Sequence, residues 1–105
     1  MVIQHVLYFL AAADERNITR AARICGVKQP TLSLAIRQLE TNLGVKLFER
    51  SARGIVLTPA GKAIRPHFMS ASRALERARQ AARKVGSRDP DLAFFRGAGQ
   101  TAGLI

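Results

Sequence analysis

The spacing of apolar residues predicts an amphipathic helix at the start of the chain. Ile3, Val6, Leu7 and Leu10 recur at helical spacing, which places them on one face of a helix. The pattern continues to about Asp14, where charged residues follow. We therefore predict a first helix from Ile3 to about Asp14, with its apolar face turned towards a core.

Two shorter helices are predicted next, because residues that begin and end helices bracket each of them. Asn17 can cap a helix over residues 18–25, and Gly26 can end it in the left-handed conformation. Pro30 suits the first turn of a third helix, where a missing N–H costs nothing, and Gly44 ends that helix. Two short helices joined by a glycine turn are typical of a helix-turn-helix.

The pattern after the third helix predicts a small β-hairpin. Residues 47–50 and 55–57 are short strand candidates, and residues 51–54, Ser-Ala-Arg-Gly, suit the turn between them. A hairpin that follows a helix-turn-helix is the wing of a winged helix-turn-helix.

The longest element is predicted after the hairpin. Thr58 can cap a helix in which Pro59 takes the first position, and the helical pattern continues to about Val85. Pro66 lies inside this helix and is expected to kink it.

These elements define a mainly α fold of the winged helix-turn-helix class, with three helices and a small β-hairpin wing followed by a long linker or dimerisation helix. We assign residues 1–58 to the winged domain and residues 59–85 to the long helix. Residues 86–105 are rich in glycine and lack periodicity, so a flexible tail is expected there.

The charge of the chain indicates an anionic partner. Seventeen Lys and Arg residues against seven Asp and Glu residues give a net charge of +10. A small domain this basic commonly binds phosphate, because each neutralised phosphate releases a condensed counterion. An anionic membrane is the competing partner, but the cations of the fourth helix are spread around it with little bulky apolar area. We therefore expect double-stranded DNA as the partner and no membrane association.

A catalytic or metal-binding function is not expected. Cys25 is the only cysteine, which excludes an internal disulfide and a thiolate cluster. His5 and His67 lie on different predicted helices without a carboxylate at motif spacing. We expect no catalytic residues, no metal and no cofactor. No apolar run is long enough to cross a membrane and no secretory signal is recognised, so a cytoplasmic location is expected.

The third helix carries the main candidate binding surface. Its apolar positions fall within about 60° of one another at 100° per residue, and they are Leu32, Ile36, Leu39 and Leu43. The opposite face carries Pro30, Ser33, Leu34, Arg37 and Thr41. Short hydrogen-bonding groups and one arginine, without a carboxylate, suit the major groove of DNA. Taken alone, this helix would be better interpreted as having an ordinary solvated face. The missing carboxylates, the glycine turn before the helix and the net charge of the chain together favour a DNA-binding face instead.

The predicted wing carries three cations, Lys46, Arg50 and Arg53. An arginine at a turn can enter a minor groove, especially a narrow one over A·T pairs. A solvated hairpin tip is the alternative, and for Lys46 it is the preferred interpretation.

The stretch from Phe9 to Gly61 resembles the DNA-binding domain of LysR-type transcriptional regulators. Five motifs in the right order carry the resemblance, and they cover about half of the chain closely. The motifs are NITRAA from Asn17, VKQPTLS from Val27, IRQLE from Ile36, LGVKLFER from Leu43 and LTPAG from Leu57.

The resemblance implies which residues contact DNA. It implies major-groove contacts from Gln29, Pro30, Ser33 and Arg37, phosphate contacts from Thr19 and Thr31, and a minor-groove contact from Arg53. The complete predicted DNA-binding set is Thr19, Lys28, Gln29, Pro30, Thr31, Ser33, Leu34, Arg37, Arg50 and Arg53.

The chain departs from the family pattern in three respects. Leu34 stands where the family often has a long polar residue, so one base contact can be apolar. Cys25 replaces a usual leucine, and we expect a small buried core residue and no redox switch. The family's large C-terminal effector-binding domain is missing from this chain, so no small-molecule inducer is expected to alter its DNA binding.

The resemblance also implies that the fourth helix is the linker helix that pairs two subunits. Apolar and small residues recur along it at alternating intervals of four and three, which is a heptad seam. The predicted dimerisation residues are Ile64, Phe68, Ala71, Leu75, Ala78, Ala82 and Val85. The predicted function is a sequence-specific transcriptional regulator that binds an inverted-repeat operator in double-stranded DNA as a homodimer. The alternative is a protein-interaction module in which the winged domain is a scaffold; RNA binding is disfavoured because exposed stacking aromatics are lacking.

Overall fold

The computed structural model describes residues 1–86 and confirms a mainly helical winged helix-turn-helix. The elements in chain order are α1 (Ile3–Glu15), α2 (Ile18–Cys25), α3 (Gln29–Leu43), β1 (Phe48–Ser51), β2 (Gly54–Leu57) and α4 (Pro59–Gly86). The flexible tail was predicted for residues 86–105, and from residue 87 onward it lies outside the described residues. Residues up to Ser72 form one compact unit, which includes the first half of α4.

The ends of the two helices of the helix-turn-helix follow the predicted local signals. The Asn17 side chain accepts a hydrogen bond from the backbone N–H of Arg20 at 2.8 Å, which satisfies one of the free donors at the start of α2. Gly26 and Gly44 end α2 and α3 in the left-handed conformation, with φ of 71° and 73°, where a side chain is strained.

The core of the winged domain consists of two apolar clusters. The first cluster joins α1, α2 and α3, and its buried members are Tyr8, Ala12, Ala21, Ala22, Leu32, Ala35 and Ile36. The second cluster lies around Phe9, which is fully buried with Leu39 and Leu47. Phe9 packs against the ring of Phe48 at 5.3 Å and that of Phe68 at 5.5 Å between centroids. The wing and the beginning of α4 are therefore attached to one aromatic centre.

The first strand begins one residue later than predicted. Leu47 is fully buried in the second cluster. Its backbone N–H donates to the Glu40 carboxylate at 2.7 Å, and its carbonyl accepts from the N–H of Thr58. Thr58 stands opposite Leu47 in the hairpin register, so only the N–H of Leu47 is diverted from the ladder, and β1 begins at Phe48, opposite Leu57. The second strand starts at Gly54, one residue earlier than predicted.

Gly54 is required by the contact between the wing and α1. Its φ is 127°, and a Cβ on it would overlap the carbonyl oxygen of Arg16. That same carbonyl accepts a hydrogen bond from the N–H of Ile55 at 3.1 Å. The end of α1 therefore holds the second strand of the wing by backbone contact, which leaves no room for a side chain.

Thr58 caps α4 as predicted. Its hydroxyl accepts a hydrogen bond from the N–H of Gly61 at 3.0 Å and donates one to the carbonyl of Lys46 at 2.6 Å. The helix includes Pro66 within its bounds, and the kink at this proline stays a prediction.

Cys25 is only half-buried, so the expectation of a buried core residue was wrong. It lies at the end of α2, where the chain turns at Gly26, and packs against the edge of the first cluster. Its partial burial raises the pKa of the thiol, because desolvation disfavours the thiolate.

Candidate nucleic-acid interface

The two faces of α3 separate as the sequence predicted. Leu32, Ile36 and Leu39 are buried, and Leu43 is partly buried against the second cluster. Ala35 is buried as well, and its small side chain gave no signal in the pattern. On the opposite face Pro30, Leu34, Arg37 and Thr41 are exposed, and Ser33 is half-buried. An exposed face at the centre of the helix-turn-helix is therefore free to enter a groove of DNA.

A hydrogen bond fixes part of this face. The Gln29 side-chain N–H donates to the Ser33 hydroxyl at 2.8 Å, one helical turn further on. The remaining amide N–H and the carbonyl oxygen of Gln29 can still bond, and glutamine pairs with the N6 and N7 atoms of adenine through such groups. The bond therefore orders two predicted contact residues before DNA arrives.

An open groove separates α3 from the wing. Its volume is about 870 Å³, and its lining includes Gln29, Ser33 and Arg37 from α3 together with Arg50 from the wing. Lys46 also lines it, although the sequence favoured a solvated tip for this residue. The groove thus brings predicted residues from α3 and β1 to one surface.

The groove carries charges of both signs. Two carboxylates, Glu40 and Glu49, line it beside its cations, and the Glu40 carboxylate accepts from the backbone of Leu47. Within residues 1–86, no carboxylate pairs with the exposed cations of the predicted set, which are Lys28, Arg37, Arg50 and Arg53. Other arginines do have carboxylate partners, since Arg20 lies 3.6 Å from Glu15 and Arg65 lies 2.6 Å from Asp14. The cations of the predicted DNA-binding set are therefore available to phosphates or bases within the described part of the chain.

The remaining predicted contacts lie at element ends. Thr19 and Thr31 are exposed in the first turns of α2 and α3, and neither first turn contains an acidic residue. A helix N-terminus without acids favours a phosphate through its free N–H groups. Arg53 is in the two-residue turn of the hairpin, where its N–H donates to the Ser51 hydroxyl at 3.3 Å. These positions fit the predicted roles, which stay predictions.

The predicted dimerisation residues divide into two groups. Ile64 and Phe68 are partly buried against the second cluster of their own chain, so part of their apolar surface is already used. Leu75 is half-exposed, and Val85 is 55% exposed. The alanines of the seam are all exposed, at positions Ala71, Ala78 and Ala82.

In the described part of the chain, no three His, Cys, Asp or Glu side chains are grouped so that they could hold a metal ion. No helix within residues 1–86 has the length and apolar character needed to span a membrane.

A family model, curated relatives and solved structures all indicate a helix-turn-helix regulator. Residues 3–62 match the family of bacterial regulatory helix-turn-helix proteins, lysR family. The transcriptional regulator TfdS of Cupriavidus pinatubonensis is 52% identical over 63 residues, which are 60% of this chain and 21% of that protein. The chain thus spans about a fifth of the length of this curated relative.

Two structures solved with DNA are also similar. The BenM DNA-binding domain in complex with catB site 1 DNA has a TM-score of 0.77 and 30% identity, covering 83% of this chain and 98% of that one. The CbnR DNA-binding domain in its DNA complex has a TM-score of 0.67 and 40% identity, covering 78% of this chain and 99% of that one. The chain belongs to the LysR family of bacterial helix-turn-helix regulators.

Proposed function

We propose that this chain is the DNA-binding part of a transcriptional regulator that recognises a specific sequence in double-stranded DNA. The observation that carries the proposal is the exposed face of α3 around Arg37, which lies beside a groove and a wing whose arginines have no carboxylate partner within residues 1–86. The similar BenM and CbnR DNA-binding domains were solved in complex with DNA, which supports the same use of this surface.

In the proposed complex α3 occupies the major groove. Gln29, Ser33 and Arg37 meet base edges, because amide, hydroxyl and guanidinium groups match the donors and acceptors displayed there. The wing follows the backbone and places Arg53 at the minor groove. Lys28, Thr19 and Thr31 contact phosphates, which set the position of the domain without reading sequence.

The proposed functional unit is a homodimer through α4. Seven seam positions recur at heptad spacing over a helix about 42 Å long at 1.5 Å per residue. The exposed alanines Ala78 and Ala82 allow a second helix to approach closely. A two-fold dimer presents two α3 helices to two half-sites, so the operator is expected to be an inverted repeat. The proposal assigns the chain no catalytic role and a cytoplasmic location, consistent with relatives named as transcriptional regulators.

Selection of bound duplexes from a random pool tests this function. The expected result is an enriched inverted repeat whose half-sites are spaced by one helical turn or a multiple of it. Binding to the selected duplex should fall roughly 10³- to 10⁵-fold between about 50 and 200 mM salt if six to ten phosphates are neutralised.

Two variants and one alternative outcome make the test specific. Arg37→Ala should weaken binding to the selected duplex, whereas Arg79→Ala, an exposed arginine of α4 outside the predicted set, should change it little. Self-association that is insensitive to salt, without enrichment of any duplex, would instead support the protein-interaction module.

A further inference from the structure

The centre of the proposed DNA-reading face carries an exposed leucine. Leu34 is 51% exposed, and it lies about 150° around the helix from the middle of the buried stripe at 100° per residue. It belongs to neither apolar cluster of the described residues. An apolar side chain in this position contacts water in the free protein, so it gains free energy wherever an apolar surface replaces that water.

The surroundings of Leu34 show what kind of surface it can meet. Pro30 lies one turn before it on the same face and is also exposed, so the two form an apolar strip. The strip runs beside a polar strip in which Gln29 is bonded to Ser33. The groove next to the wing is lined by Gln29, Pro30, Ser33 and Arg37 but not by Leu34. Leu34 therefore lies on the exposed face of α3 outside this groove.

We propose that Leu34 is a specificity-determining residue that recognises the 5-methyl group of one thymine in each half-site. The proposal rests on the proposed function, since it requires α3 in the major groove. Thymine alone among the four bases of unmodified DNA carries a methyl group on the major-groove edge. The amino groups of adenine and cytosine would lose water against leucine without gaining a partner, so both are disfavoured at this position.

The expected loss of affinity follows from the burial of one methyl group. Burying one methyl group contributes about 0.8 kcal/mol, which corresponds to about fourfold in affinity for each half-site. A dimer that loses both methyl groups should bind roughly 15-fold more weakly, provided that the two half-sites contribute independently.

Replacement of thymine by deoxyuridine tests the contact without changing base pairing. In the duplex obtained by selection, each thymine is replaced singly, and affinity is measured by fluorescence anisotropy for the wild type and for Leu34→Ala. The matched control is Ile24→Ala, which removes an apolar side chain that is 64% exposed on α2 and outside the reading face. Circular dichroism establishes that both variants keep their helices, as expected for exposed positions.

We expect one thymine in each half-site at which deoxyuridine weakens the wild type and Ile24→Ala by about fourfold. At that position Leu34→Ala should bind the thymine and deoxyuridine duplexes equally. The same deoxyuridine profile in Leu34→Ala as in the wild type would overturn the proposal, as would a selected half-site that contains no thymine. Both results leave sequence-specific DNA binding intact. If the wild type shows no salt-dependent binding to any duplex, the proposed function and this contact are refuted together.

Discussion

Thr58 joins the start of α4 to the segment ahead of the wing through one hydroxyl, so its removal should destabilise the fold. The hydroxyl accepts from the N–H of Gly61 at 3.0 Å, at the start of α4, and donates to the carbonyl of Lys46 at 2.6 Å, ahead of the wing. The residue is only 6% exposed, so water replaces these bonds poorly. Thr58→Val keeps the branched shape and removes both hydrogen bonds.

The expected loss is roughly 2 kcal/mol in the free energy of unfolding. Loss of the cap of α4 costs about 1 kcal/mol, and loss of the bond to Lys46 costs about 0.5–1.5 kcal/mol. For a domain of this size each kcal/mol lowers the melting temperature by about 4–8 °C. Thr58→Val should therefore melt about 8–16 °C below the wild type.

Thermal unfolding followed by circular dichroism at one fixed protein concentration measures this loss, with two matched controls. Thr58→Ser retains the hydroxyl and loses one methyl group, so it should lose about 0.8 kcal/mol or less. Thr41→Val is the same substitution at an exposed threonine whose hydroxyl donates to the carbonyl of Arg37 within the same helix, so it should stay within about 0.5 kcal/mol of the wild type. Equal melting temperatures for Thr58→Val and the wild type, or for Thr58→Val and Thr58→Ser, would refute the reasoning.

Further outcomes are expected at four residues. Arg37→Ala should lose about 1–3 kcal/mol more binding free energy on the selected operator than on random DNA, because a guanidinium bonded to a base edge distinguishes one base from another. Equal losses on the two duplexes, measured by filter binding, would show that Arg37 contacts a phosphate instead. Arg53→Ala should bind an operator whose flanking A·T pairs are replaced by G·C as well as it binds the original, whereas the wild type should prefer the A·T flanks; equal sensitivity would place the wing over phosphates alone. Leu75→Glu should sediment as a folded monomer with most operator affinity lost, whereas Ala74→Glu beside the seam should remain dimeric; a dimeric Leu75→Glu would show the seam to be wrong. Cys25, whose pKa is raised by burial, should be alkylated by iodoacetamide at mildly alkaline pH more slowly than in the unfolded chain. Faster alkylation of the folded protein would contradict the raised pKa. Because the thiol of the unfolded chain ionises at lower pH than that of the folded chain, the free energy of unfolding should also fall as the pH rises through the ordinary thiol pKa.

The features that the sequence determined by itself are those that depend on neighbouring residues. The ends of α2 and α3 were predictable because Asn17, Gly26 and Gly44 act within one turn of the helix that they limit. The division of α3 into a buried and an exposed face was predictable for a similar reason, since helical periodicity depends only on spacing along the chain. The family motifs were recognisable in the same way, as short runs of residues in order.

The tertiary structure alone decided which predicted residues were already engaged elsewhere. Strand β1 begins after Leu47 because the Glu40 carboxylate of α3 takes the N–H of Leu47. The cation Arg65 is paired with Asp14, 51 residues away in the chain, whereas within residues 1–86 Arg37 has no such partner, and nothing in the spacing of charges distinguishes the two.

The seam of α4 shows the same division between local pattern and tertiary contact. Heptad spacing identifies Ile64 and Phe68 as apolar positions on one side of a helix but does not say what covers them. In the fold, both pack on the second cluster of their own chain, and Phe68 meets Phe9 edge to face at 5.5 Å. Periodicity depends on the residue type at each position, whereas the choice of partner depends on which elements the folded chain brings together.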